Sequence, residues 1–197
     1  MTWDIPQVSE TENEALTAVF VEKEVREAIF QMKYNKAPDP DGFPAEFYQV
    51  FWSIIKDDLI AMFRDFHNED LRLFSLNFGI VTLIPKLNEV KKIQQYGPIC
   101  MLNVSFKIFT KVIANRLALV ASKVIGPSQS AFLPGRYILE GAIVLHETLH
   151  ELKRKKMDEL ILKLDFEKAY DKVNWSFLQH VLRMKGRKNG ANGILFL

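Results

Sequence analysis

Cysteine is almost missing from this chain of 197 residues: Cys100 stands alone. No intrachain disulfide can form, CxxC metal and redox motifs are excluded, and an intracellular, reducing setting fits. Also lacking is any run near the ~18 apolar residues that a membrane span needs. The opening MTWDIPQVSETENE is polar and acidic rather than basic and then apolar, so it does not read as a signal peptide. A strong net charge is missing from the total, which is +2, but not from the halves. Residues 1–70 hold 6 Lys+Arg against 15 Asp+Glu, whereas residues 71–197 hold 20 against 9. The basic part is either an electrostatic footprint for a polyanion or a solvated surface.

What is present is apolar patterning, with 48% hydrophobic residues, enough for a sizeable core. Val21, Val25, Ala28, Ile29 and Met32 recur at helical spacing, and the prolines and glycine of residues 35–44 then predict a stiff turn. From Pro44 a long, half-buried helix is expected through Phe66, with Phe47, Phe51, Ile54, Ile55, Leu59, Met62 and Phe66 on its apolar face. GIVTLIPK, residues 79–86, reads as a strand with Lys86 at its tip, and residues 87–98 as a loop. Helical patterns follow over Val104–Val124, with Phe106, Phe109, Ile113, Leu117 and Val120 on one side, and over Ile138–Met157. The turn-rich GPSQSAFLPGR separates them, and Lys153, Arg154, Lys155 and Lys156 suit the negative end of the second helix dipole. ELILKLDF then alternates as a strand ending in Asp165, and NWSFLQHVLRMK starts a further helix.

Two stretches carry chemistry. HETLH places His146 and His150 on one helix face with Glu147 beside them, the spacing of a zinc hydrolase. Asp165 closes a strand, where a carboxylate needs a cation, and Asp171 follows across a short turn. The alternative for this pair is a cap on the strand-to-helix junction. Asp57 and Asp58, the one adjacent aspartate pair, fall in a helical pattern and read as a solvated face.

LKLDFEKAYDKVNWSFL resembles the first palm motif of non-LTR, LINE-type retrotransposon reverse transcriptases. KAPDPDGFPAEFYQVFW, LIPK, QQYGPICMLNVSFKIFTKVIANRL and GPSQSAFLPGR stand in that family's order and spacing, most like its plant branch, over roughly residues 15–185. The resemblance implies an α+β, helix-rich, right-hand polymerase (reverse transcriptase) with fingers and a partial palm. Residues 1–70 would be an acidic helical extension and the start of the fingers, 71–157 the fingers, and 158–197 the beginning of a truncated palm.

The resemblance also implies RNA-directed DNA synthesis with an RNA template, a DNA primer, deoxynucleoside triphosphates and Mg²⁺. Asp165 would be catalytic, holding the metal with the main-chain oxygen of Phe166. Tyr170 would exclude a 2′-hydroxyl, or else anchor the turn to the core. Lys86 would meet triphosphate oxygens, or be an ordinary exposed lysine. Gln129 and Arg136 would line the template path, Arg136 by gripping phosphate or merely by ending a turn. Lys153, Arg154, Lys155 and Lys156 are the further candidates for nucleic-acid contact.

Three departures accompany these matches: Asp39 where the family commonly has glycine, Gly97 where it usually has arginine, and an unfamiliar ending after Gly186. No second aspartate cluster follows Asp171, so the chain alone is expected to be inactive. HETLH belongs to a helix that this family places before the palm strand, and no third ligand follows nearby. A non-catalytic nucleic-acid-binding remnant and, behind it, a zinc hydrolase are the competing readings.

Overall fold

The computed structural model describes residues 6–34, 36, 40–71, 76–156, 162, 164 and 172–186. Among them the elements run α1 (Glu10–Thr17), α2 (Glu22–Phe30), α3 (Ala45–Val50), α4 (Trp52–His67), β1 (Gly79–Pro85), β2 (Tyr96–Leu102), α5 (Val104–Val124), α6 (Ile138–Lys155) and α7 (Trp175–Lys185). The fold is helix-rich α+β with a two-stranded sheet among the described residues. It divides into two compact units, Val19–Asn115 and the remainder. The acidic residues 1–70 therefore supply α1 to one unit and α2, α3 and α4 to the other.

The core of the first unit gathers Val25, Ala28 and Ile29 of α2, Tyr48 of α3, Trp52, Leu59, Phe63 and Phe66 of α4, and Val104, Ile108, Phe109 and Val112 of α5. Phe63 stacks on Phe109 with centroids 4.1 Å apart, and Phe20 leans on Phe63 at 5.1 Å. Such offset pairs bind beyond their buried area. Gln49 is buried among them and donates from Nε2 to the carbonyls of Ile29 (2.9 Å) and Met32 (3.1 Å), which ties α3 to the end of α2.

The single long helix expected from Pro44 is two helices. Phe51 leaves helical angles at φ −93°, ψ 14°, while Phe43, Phe47 and Phe51 pack ring to ring at 4.6 and 5.0 Å. The break changes the phase of the second helix. Trp52, Leu59, Phe63 and Phe66 turn inward, whereas Phe51 and Ile54 of the expected face are exposed. Asp57 and Asp58 are exposed on α4, as expected. The positive φ of the preceding turn falls on Gly42 (77°), and Asp39 lies outside the described residues.

The expected loop 87–98 is also corrected, because its end belongs to β2. Gly97 and Pro98 disguise that strand, since both are ordinarily strand breakers. In a two-stranded sheet each strand is an edge, so Pro98 can sit opposite Leu83 without interrupting an interior ladder. Helix α5 has the expected bounds, and α2, α6 and α7 lie where periodicity placed them, Met157 and most of 159–166 falling outside the described residues.

In the other unit α1 is held by its own cap and by α5. Ser9 Oγ accepts from Glu12 N at 3.2 Å while Glu12 Oε2 accepts from Ser9 N at 2.6 Å, a reciprocal capping box. The same Glu12 oxygen is 2.7 Å from Lys123 Nζ, and Arg116 donates to the carbonyls of Leu16 (3.2 Å) and Ala18 (2.6 Å) at the other end of α1. Lys123 and the Ser9 amide hold the Glu12 carboxyl down at about 2.

Candidate functional site

The β-branched run of β1 pairs antiparallel with β2 from Gly79↔Leu102 to Pro85↔Tyr96. Lys86 N then donates to Gln95 O at 2.9 Å, carrying the ladder one residue past the strand. Gln95 also shapes the turn: its Oε1 accepts from Lys91 N (2.8 Å) and Lys92 N (2.9 Å). Lys86, Lys91 and Lys92 stand exposed around that turn. The stem of Lys86 lies beside Gly97, where an added Cβ would be 3.3 Å from Lys86 Cε. Three ammonium groups on a hairpin supported in this way can bind a polyanion as point charges on flexible stems.

GPSQSAFLPGR connects α5 to α6 and is organised by one side chain. Arg136 Nη1 donates to the carbonyls of Gly126 (2.5 Å) and Gln129 (2.8 Å), and Nη2 to those of Ser122 (2.8 Å) and Ile125 (3.1 Å). Those oxygens include terminal carbonyls that an α-helix leaves without partners. All four Nη hydrogens are engaged by these carbonyls, and Nε is the further donor of the guanidinium. Gln129 is exposed, with its Nε2 on Ala131 O at 3.2 Å. Leu133 is buried as the loop's anchor, while Phe132 beside it is exposed at a φ of 64°.

The basic run lies at the end of α6. Glu151 Oε2 accepts from Arg154 at 2.8 Å and is 3.9 Å from Lys155 Nζ, two exposed pairs of small energetic weight. Lys153 and Lys156 are exposed and, among the described residues, have no carboxylate partner. Lys156 ends the helix in the left-handed conformation at φ 52°.

Residues 84–188 match the family described as reverse transcriptase (RNA-dependent DNA polymerase). Over 177 residues, 89% of this chain, the sequence is 32% identical to the Transposon TX1 uncharacterized 149 kDa protein of Xenopus laevis. The chain belongs to the reverse transcriptase family. With a transposon protein as its relative, it is a reverse transcriptase segment of the non-LTR, LINE-type retrotransposon kind, as its motifs indicated. It spans 14% of that relative's length.

Within the reverse transcriptase span the structure places Lys86 on the hairpin, Gln129 and Arg136 in the α5–α6 loop, and Lys153 to Lys156 at the end of α6. Lys86 belongs to one unit and the others to the second. Asp165, Phe166, Tyr170 and Asp171 lie outside the described residues. His146, Glu147 and His150 are exposed on α6, and among the described residues no three His, Cys, Asp or Glu side chains form a metal-holding group. No described helix is long and apolar enough to cross a membrane. Sequence reasoning missed Gln95, whose role depends on a turn hidden by the breakers of β2. It missed α1 as well, although Ser9 and Glu12 have the spacing of a capping box.

Proposed function

We propose that this chain forms the fingers and the beginning of the palm of an RNA-directed DNA polymerase, with residues 1–70 as extension and start of the fingers, 71–157 as fingers and 158–197 as the start of the palm. The observation carrying this reading is that the reverse transcriptase match, residues 84–188, contains both Lys86, with the turn and β2 that follow it, and LDFEKAYDKV. Lys86 meets the oxygens of a deoxynucleoside triphosphate, with Lys91 and Lys92 adding local positive potential. Gln129 and the turn held by Arg136 border the RNA template, and Lys153 to Lys156 attract nucleic-acid phosphate.

Asp165 is the catalytic carboxylate. It and the main-chain oxygen of Phe166 are hard oxygen donors, the chemistry that suits Mg²⁺. When bound, Mg²⁺ supplies charge stabilisation for phosphoryl transfer. Tyr170 contacts the sugar and disfavours a 2′-hydroxyl. The 197-residue polypeptide by itself extends no primer on an RNA template, because no second aspartate pair follows Asp171 within it. In a chain carrying a complete palm and thumb, Asp165→Asn lowers primer extension at least ~100-fold, since a lost transition-state charge contact costs that much. A near-normal rate would remove Asp165 from this role. In the same chain Tyr170→Val raises ribonucleotide incorporation relative to deoxynucleotide, and an unchanged ratio would assign the ring to core packing.

A further inference from the structure

Phe132 is 91% exposed, a phenyl ring presented to solvent from the middle of a loop. Its φ of 64° is the left-handed region, which glycine enters freely and an aromatic residue enters at a cost. Such a conformation persists where surroundings over-determine it, and here they do. Arg136 fixes the carbonyls of Ser122, Ile125, Gly126 and Gln129, Gln129 Nε2 fixes that of Ala131, and Leu133 is buried on the other side of Phe132. Gly135, at φ 76°, completes the turn. The loop thus holds an apolar ring outward against its local preference.

We infer that Phe132 is a stacking platform for an unpaired nucleobase, with Arg136 as the residue that positions it. This rests on the proposed nucleic-acid role of the segment. A base is favoured over other occupants for three reasons. The loop lies inside the reverse transcriptase match, and the charge of residues 71–197 is strongly positive. Ser128 and Gln129 of the same loop are exposed and polar, groups that can flank a stacked base. Finally, Arg136 has its four Nη hydrogens on carbonyls, so it has no bidentate face left for a phosphate and the exposed ring is the loop's distinctive contact. Every base has a π-face, so this contact is indifferent to sequence. Tyr137, 67% exposed at the start of α6, is a second ring available from the same loop.

The test uses the whole 197-residue chain and two fluorescent strands of equal length and charge, an oligothymidylate and its abasic counterpart. Binding is followed by anisotropy across a salt series. Wild type is expected to bind the thymidylate strand about 5-fold or more tightly than the abasic one, the lower end of base–aromatic stacking. Phe132→Ala should erase that preference and leave the salt slope unchanged, whereas Phe132→Trp should keep it. Phe132→Gly, which suits the observed φ, should lose the preference in a protein whose circular dichroism is unaltered, separating stacking from misfolding. Salt-dependent binding with no preference in wild type, or with a preference that survives Phe132→Ala, overturns the inference and leaves the nucleic-acid role intact. Failure of wild type to bind either strand overturns both.

Discussion

Lys86 lies against the one residue of β2 that has no side chain, since a Cβ on Gly97 would stand 3.3 Å from Lys86 Cε and 4.0 Å from its Cγ. The neighbour is a flexible stem, so Gly97→Ala is expected to cost under ~1 kcal/mol as the lysine moves aside. Gly97→Arg should add a second cation beside Lys86 and tighten binding of a Mg²⁺–deoxynucleotide complex several-fold, measured by equilibrium titration. Unchanged affinity would show that this hairpin does not face the triphosphate.

Gly79 gives the opposite result at the other end of the same hairpin. A Cβ there would meet Cys100 Sγ at 2.7 Å, Leu102 Cδ2 at 2.9 Å and the Met101 carbonyl oxygen at 2.9 Å. The carbonyl is backbone and cannot rotate away. Gly79→Ala should destabilise the hairpin by about 1–3 kcal/mol, as overpacking does. Faster amide exchange at Ile80 and Thr82, which face Met101 and Ile99 in hydrogen-bonded pairs, is the expected signature in the variant.

Arg136→Ala should lower the thermal midpoint, because four carbonyls lose the guanidinium at once, that of Gly126 keeping Gln129 N as a donor. Partial exposure lets water replace some of these bonds, so the expected loss is about 1–3 kcal/mol. Arg136→Lys should rescue little of it, since one ammonium cannot reproduce the planar fork. Full stability in the lysine variant would mean that charge alone suffices.

Acid should loosen α1. The Glu12 carboxyl, ordinarily near 4.5, is lowered to about 2, first by Lys123 and then by the Ser9 amide. A folded-state value below the unfolded one means the stabilisation is complete above the unfolded value and fades as pH falls from 4.5 toward 2. The pH dependence of thermal stability over that window should flatten in Glu12→Gln. An identical profile in the variant would place the acid sensitivity elsewhere.

The basic end of α6 is tested by salt. Log affinity for RNA should fall linearly with log salt, by roughly 0.7–0.9 per phosphate neutralised. Replacing Lys153, Arg154, Lys155 and Lys156 with Gln should flatten that slope. A slope unaffected by the replacement would leave these residues as complements to their own helix dipole.

The sequence by itself determined the family, the bounds of α5 and the positions of α2, α6, α7 and β1, because apolar period and end signals act within a few residues. It also placed Lys86, Gln129 and Arg136 inside motifs whose order carries the resemblance, and the basic run at the end of a helix. The tertiary structure decided the rest. Phe51 broke one expected helix and rotated its buried face, since packing of the Phe43–Phe47–Phe51 rings and the common core outweighs an uninterrupted pattern. Pro98 became a strand residue once Leu83 was opposite it. Lys123 found Glu12 across 111 residues of sequence. Arg136 turned toward the carbonyls ending α5, and Phe132 stands outward in the same loop; no local pattern encodes the first choice, because a guanidinium takes whichever acceptors the fold leaves unsatisfied.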